Sequence, residues 1–307
     1  IDKVVDRFKV LVSGKDKAGE FYRKSFTALF AYVSNRIPEI SNELYKIDDA
    51  MKAGFGWEHG PFQIWDAIGV ENGIELIVLD RPNPNGHYVD GPILNMKFTS
   101  FVGMHPIPIV HGMTIAEYAQ MINGEGWLGE NVTCKLSVVP CEEYSHDVPY
   151  SLPVPPSPNL RSDLSIQLYP SLCLLEATTV TIGRGTDYPF EVYGHPDFPP
   201  TGFSFTPKSG YGSKDPKQEG KKCNGYHLTD EKYQRMDQLD FSFLVNANKL
   251  LHGKLFIDRD KFFNLFAGND ILIEQLRSGL SQTEIRSSWE PKLGDFKEIR
   301  EKYLIYK

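Results

Sequence analysis

DRPNPNGHYVDGP (80–92), MHPIPIVHGMT (104–114), PPSPNL (155–160) and GRGTDYPF (183–190) together mix Pro and Gly with polar residues, among them Asp, Arg, Asn and His. Loops that only solvate the backbone use Ser, Lys and Glu. Donors and acceptors held in a proline-stiffened frame suit a polar ligand instead, because fixing them beforehand lowers the ordering cost of binding. Each stretch alone reads as a structural turn; together they predict a ligand cleft. Glu176 lies in SLCLLEATT, a mostly apolar setting. Desolvation there favours the neutral acid that a general acid needs, whereas an ion pair with a cation such as Arg184 is the structural alternative. Glycoside hydrolysis normally uses two carboxyl groups about 5–10 Å apart, and spacing alone gives Glu176 no second one.

Other motifs carry less. GRGTDY (183–188) lacks the third glycine of a dinucleotide fingerprint, and SGYGSK (209–214) lacks the Walker spacing. The eight histidines contain no HExxH, and His105 with His111, six apart, is a poor metal pair. No cofactor or metal is predicted. Cys134, Cys141, Cys173 and Cys223 show no CxxC spacing and read as buried thiols. Asn131-Val132-Thr133 fits a glycosylation acceptor, a pattern common by chance. A net charge of −7 over 307 residues argues against nucleic acid as the main partner. No run approaches the roughly 18 apolar residues of a membrane span. As written the chain carries no signal segment, which predicts a cytoplasmic protein. Oligomeric state is left open.

These loops need elements to hold them. Tyr22, Phe26, Leu29, Phe30, Val33 and Ile37 recur at helical spacing, predicting a helix over 20–37. A second is expected over Ser41 to Lys52, with Leu44, Ile47 and Met51 inward, and Pro61 opens a third. Residues 1–70 therefore read as all-α. IELIVLD (74–80) then reads as a strand buried on both faces, of the parallel kind, with Asp80, Arg81 and Asn83 beyond its carboxyl end. Thr114 to Ile122 suits a helix, with Thr114 and Glu117 at capping-box spacing, and 135–140 another strand. Pro149, Pro153, Pro155, Pro156 and Pro158 exclude helix and central strand, placing a subdomain boundary at 148–158. Mixed strands and loops follow to 230, then helices. Ser281 with Glu284 forms a second capping box, and Leu293, Phe296, Ile299 and Tyr303 a last amphipathic stripe.

Two resemblances follow from these stretches. VLDRPNPNGHYVDGP, FVGMHPIPIVHGMTIAEYAQMINGEGW, VPPSPNL, LYPSLCLLEATTVTIGRGTDYPF, PTGFSFTP and EIREKYLIY resemble the exo-β-N-acetylmuramidase family, formerly a domain of unknown function, over roughly residues 71–307. The resemblance implies removal of terminal N-acetylmuramic acid from peptidoglycan fragments. It also implies a Rossmann-like domain followed by a smaller α/β domain with the site in their cleft, and a periplasmic or lipid-anchored location. Residues 1–70 are similar to the helical C-terminal domain of bacterial 3-hydroxyacyl-CoA dehydrogenases. They carry its signature as Asp48/Asp49, Ala50, Met51, Gly54, Phe55, Gly56, Gly60, Pro61 and Phe62.

The expected fold class is thus α/β: an all-α segment (1–70), the end of a truncated Rossmann-like domain (71–147) and a C-terminal α/β domain (148–307). No Gly/Ser or Pro linker separates Val70 from Glu71, so a chimeric join is expected there. The family's earlier strands, with a glutamate thought to act in catalysis, would be missing. Strand 74–79 would then lack neighbours and expose apolar area, predicting poor stability or aggregation. The muramidase resemblance implies that Asp80, Arg81, Asn83, His111, Asn159 and Arg184 line the substrate cleft. Arg184 would hold the muramyl lactyl carboxylate through two parallel hydrogen bonds, and Glu176 would be a catalytic acid or a positioning group. The expected function is a peptidoglycan-directed glycoside hydrolase, inactive if truncated, with muramyl sugars as partners. The alternatives are a non-catalytic muramyl-binding fragment, or a β-oxidation dehydrogenase relative, for which the nucleotide fingerprint is absent.

Overall fold

The computed structural model describes residues 3–40, 44–68, 75–100, 102–129, 132–229, 231–255 and 260–306. Residue contacts divide the chain into two compact units, 1–79 with 119–139, and 80–118 with 140–307.

The first unit opens with helices α1 (Val4–Ser13), α2 (Lys17–Ile40), α3 (Leu44–Phe55) and α4 (Pro61–Ile68). The stripe read from the sequence lies on α2: Phe30 and Val33 are buried, and Tyr22, Phe26 and Leu29 pack on a small core with Val12, Ile64 and Ile68. Phe26, Phe30 and Trp65 stack in series, with ring centroids 6.1 and 4.9 Å apart. The side chains of Ile37 and Leu44, also expected inward, lie outside the described residues, as does 41–43 at the expected start of α3. The dehydrogenase-like signature has a packing explanation. Asp48, 4% exposed, accepts from the backbone N–H of Phe62 at 2.8 Å and Gln63 at 3.1 Å, satisfying first-turn donors of α4. Pro61 has no N–H to satisfy. A Cβ on Gly60 would lie 2.3 Å from the Asp48 Cα, so only glycine allows this approach.

Along the chain come β1 (Leu76–Leu79), β2 (Asp90–Ile93), β3 (Pro108–Val110), α5 (Ile115–Gly124) and β4 (Leu136–Val139). β1 pairs in parallel with β4, from Leu76 opposite Leu136 to Leu79 opposite Val139. Parallel pairing agrees with the sequence; burial on both faces does not. Leu76, Ile77 and Leu79 are 49%, 59% and 68% exposed. The reason is that burying both faces requires a wider sheet, and this one has two strands among the described residues. β2 and β3 form an antiparallel pair with an irregularity between Asp90 and Ile93. The predicted capping box opens α5, with Thr114 N–H donating to Glu117 at 2.8 Å and Glu117 N–H to Thr114 Oγ1 at 3.3 Å.

Residues 148–158 form no helix or strand, as their prolines require. Helix α6 (Asp163–Leu172) follows, capped by Ser162, then a 3-10 turn over Cys173–Ala177. β5 (Val192–His195), β6 (Phe203–Phe205) and β7 (Cys223–His227) make an antiparallel sheet in the order β5-β7-β6. Helices α7 (Ser242–Leu250), α8 (Asp260–Ala267), α9 (Ile271–Arg277), α10 (Gln282–Ser287) and α11 (Glu290–Glu301) complete the chain. The Ser281–Glu284 box caps α10, and Leu293 and Phe296 of the final stripe are buried while Ile299 and Tyr303 are half-buried. The core joins Leu168, Leu172, Leu175, Phe190, Tyr193, Leu239, Phe263 and Ile285. Helices and small sheets thus combine in an α/β fold. No helix among the described residues is long and apolar enough to cross a membrane.

Candidate functional site

Two groups of polar side chains in the second unit contain the residues singled out by sequence. The first is centred on Glu117, which has no solvent exposure. Its carboxylate accepts from Thr114 N–H, from Ile305 and Tyr306 N–H at 2.9 and 3.2 Å, and stands 3.0 Å from His146 Nε2. Burial pushes the carboxyl up, but His146 and the backbone donors of Thr114 and Ile305 outweigh it and hold it below the usual carboxylate range. Asp80 bridges Ala116 N–H at 3.0 Å and the Tyr306 hydroxyl at 2.7 Å. The Asn83 amide donates to Met113 O at 2.9 Å and accepts from Asn85 N–H, while Tyr144 hydroxyl contacts its backbone. His111 stacks on Tyr118 with centroids 5.4 Å apart and accepts from Met113 N–H. Burial, helped by the Arg300 guanidinium, pushes His111 down to about 4, so it is neutral at pH 7. Asp80, Asn83 and His111 therefore spend their polar atoms on the frame, because the C-terminal residues 305–306 dock among them. Arg81 is exposed, and its side chain makes no hydrogen bond among the described residues.

Sequence reading missed Glu117 as a hub, together with His146, Tyr144 and Tyr306. The Thr114–Glu117 spacing marks the carboxylate only as a helix cap, and nothing in EEYSHD marks His146. His105 donates to or accepts from the Tyr118 hydroxyl at 2.6 Å, so His105 and His111 both contact Tyr118. Among the described residues no three His, Cys, Asp or Glu side chains could hold a metal. All four cysteines are free, but only Cys223 is buried; Cys134, Cys141 and Cys173 are half-buried because each sits in or beside a loop or turn.

Asn159, Glu176 and Gly185, the residue after Arg184, meet the segment 206–222. Arg184 Nη2 donates to Glu176 at 2.9 Å, the ion pair that sequence offered as the alternative to a general acid. The guanidinium carbon stands 5.1 Å from the Phe190 ring centroid, and Nε is buried with no partner among the described residues. Both side chains of the pair remain partly exposed, at 35% and 22%. Lys217 donates to the carbonyls of Leu175, Glu176 and Val180, closing the 3-10 turn that carries Glu176. Lys208 N–H donates to Gly185 O at 2.9 Å, an approach that a Cβ at Gly185 would block. Asn159, 4% exposed, donates to Gly212 O at 2.8 Å. Tyr169 lies beside Phe190; burial, with Cys173 and Glu176 adding, pushes its phenol up to about 12.

A reciprocal staple joins the loop after β1 to α6. Asn85 donates to Ile166 O at 3.0 Å and Gln167 to Pro84 O at 3.2 Å. Each amide leaves its oxygen buried without a partner among the described residues, and unpaired buried acceptors mark a place for a donor.

Comparison with known proteins gives these residues a context. The N-terminal model of exo-β-N-acetylmuramidase NamZ matches residues 65–164, and its C-terminal model residues 167–306. Peptidoglycan β-N-acetylmuramidase NamZ of Bacillus subtilis (strain 168) is 34% identical over 260 residues, covering 77% of this chain and 60% of the relative. The chain thus spans about three-fifths of that relative's length. The crystal structure of a DUF1343 family protein from Bacteroides fragilis NCTC 9343 is 44% identical with a TM-score of 0.74, over 80% of this chain and 69% of that one. A probable 3-hydroxyacyl-CoA dehydrogenase of Bacillus subtilis (strain 168) is 39% identical over 71 residues, 23% of this chain and 9% of the relative. Two family models that together span most of residues 65–306 mean that this chain belongs to the exo-β-N-acetylmuramidase NamZ family.

Proposed function

We propose that this chain recognises non-reducing N-acetylmuramyl ends of peptidoglycan fragments, as a glycosidase of the exo-muramidase type. The observation that carries the reading is Arg184. Its guanidinium is held by Glu176 through Nη2 and by the Phe190 ring; Nε is buried, but the side chain stays partly exposed and Nη1 makes no hydrogen bond among the described residues. A planar cation fixed in this way is a pre-organised receptor for a carboxylate. N-acetylmuramic acid differs from N-acetylglucosamine by a lactyl carboxylate, so one such receptor separates the two sugars. Glu176 acts here as the positioning group for Arg184. Arg81 is a rim contact, and Asp80, Asn83, His111 and Asn159 hold the loops in place.

A second reading, sugar binding without hydrolysis, is favoured by a specific feature. The Glu176 carboxylate hydrogen-bonds to Arg184 alone among the described residues, whereas glycoside hydrolysis uses a pair of carboxyl groups. On this reading the parallel β1–β4 pair is what remains of a Rossmann-like sheet, and residues 1–70 derive from a dehydrogenase-like chain joined near Val70–Glu71. That join lies outside the described residues; a sequencing read of source DNA across those two codons tests it. Incubating the purified chain with a chromogenic N-acetylmuramide and titrating it with N-acetylmuramic acid separates the readings. Turnover supports the glycosidase, binding without turnover the second reading, and no binding overturns both.

A further inference from the structure

SGYGSK (209–214), set aside as a phosphate loop, presents a different kind of site. Tyr211 is 86% exposed, the highest among the large hydrophobic side chains of the described residues. It sits in a tight turn closed at both ends, with Gly210 N–H donating to Ser213 O at 3.0 Å and Ser213 N–H to Gly210 O at 3.1 Å. Gly212 takes φ +84° and packs against Pro158, where a Cβ would come within 2.8 Å. The buried Asn159 amide ties the same turn down through Gly212 O. An aromatic ring held in water on a stiff, anchored turn forgoes burial without gaining freedom, which suits a surface that binds something flat and apolar on one face.

The charge around it narrows the choice. Segment 206–222 holds five lysines against Asp215 and Glu219, a net +3 in a chain whose net charge is −7. Lys217 is spent on backbone carbonyls, but Lys208, Lys214, Lys221 and Lys222 are exposed and form no ion pair among the described residues. A sugar ring offers an apolar C–H face for the tyrosine, and carboxylates along a glycan offer partners for the lysines. Lys208 also bonds to Gly185, next to Arg184, so the segment runs from the proposed carboxylate receptor to Tyr211.

We propose that segment 206–222, with Tyr211 as its stacking platform, binds further carboxylate-bearing sugar units of a glycan whose end is held at Arg184. This rests on the reading of Arg184 given above. The test measures binding of the whole chain to a soluble peptidoglycan fragment of several disaccharides and, separately, to N-acetylmuramic acid. Tyr211→Ala is expected to weaken the fragment about fivefold and leave the monosaccharide unchanged. Lys208→Gln with Lys214→Gln is expected to reduce the salt dependence of fragment binding. The inference is overturned if Tyr211→Ala binds the fragment as the parent does, if uncharged chitotetraose binds as tightly as the fragment, or if single-stranded DNA displaces it. Tyr211-dependent fragment binding with no affinity for the monosaccharide would keep this surface and reject the Arg184 reading. Monosaccharide binding with a silent Tyr211 would do the reverse.

Discussion

Glu117 is a carboxylate with no water around it, held by His146 and three backbone donors. Removing one partner of a buried pair strands the other, at a cost of about 3–5 kcal/mol. Glu117→Ala is therefore expected to lower the melting temperature sharply, with Glu117→Gln between it and the parent. Acid acts on the same group. Glu117 is held below the usual range when folded, so its contribution is present above the unfolded value of about 4.3 and is lost as pH falls through the lower folded value. His111 adds to this. Folded, it titrates at about 4; unfolded, at about 6.5, so between these values the unfolded chain binds more protons and stability falls with falling pH. The loss is at most about 3 kcal/mol. Denaturation midpoints at pH 7, 5.5 and 4 check the trend, and His111→Phe should flatten it. At this scale the sequence revealed which residues are unusual but not which were already engaged. Arg184 lies eight positions from Glu176 and their pairing was legible. One partner of Asp80 is Tyr306, 226 residues away, and no local pattern announces it.

Helices and sheet differ in how far local pattern reaches. The stripe on α2 from Tyr22 to Val33 and the capping boxes at Thr114 and Ser281 depend on residues near in sequence, and they appear in the structure. The burial of β1 depends on strands that must arrive from elsewhere in the chain, so an apolar run alone misjudged it. Leu76, Ile77 and Leu79 consequently face water on a strand with one neighbour among the described residues, which predicts self-association. Leu79→Lys should lower light scattering on concentration while leaving the melting temperature within about 0.5 kcal/mol equivalent of the parent. The opposite holds at the α3–α4 contact. Gly60→Ala drives a Cβ into the Asp48 backbone and is expected to cost about 1–3 kcal/mol, read as loss of helical circular dichroism on mild heating.

For the molecule as a whole, family membership was legible because long motifs carry it across residues 71–307, and the family models agree over 65–164 and 167–306. What those motifs do was less legible, since several of them build the frame around Glu117 through partners far away in the chain. On the function proposed above, Arg184 reads the carboxylate that distinguishes one cell-wall sugar from the other. Calorimetric titration of the whole chain with N-acetylmuramic acid and N-acetylglucosamine, parent beside Arg184→Ala, tests it most directly. A charged hydrogen bond worth about 1.5–3 kcal/mol predicts a preference of roughly 10- to 100-fold for the muramyl sugar, lost in the variant. Equal affinity of the parent for both sugars, or a preference that survives Arg184→Ala, would contradict the claim.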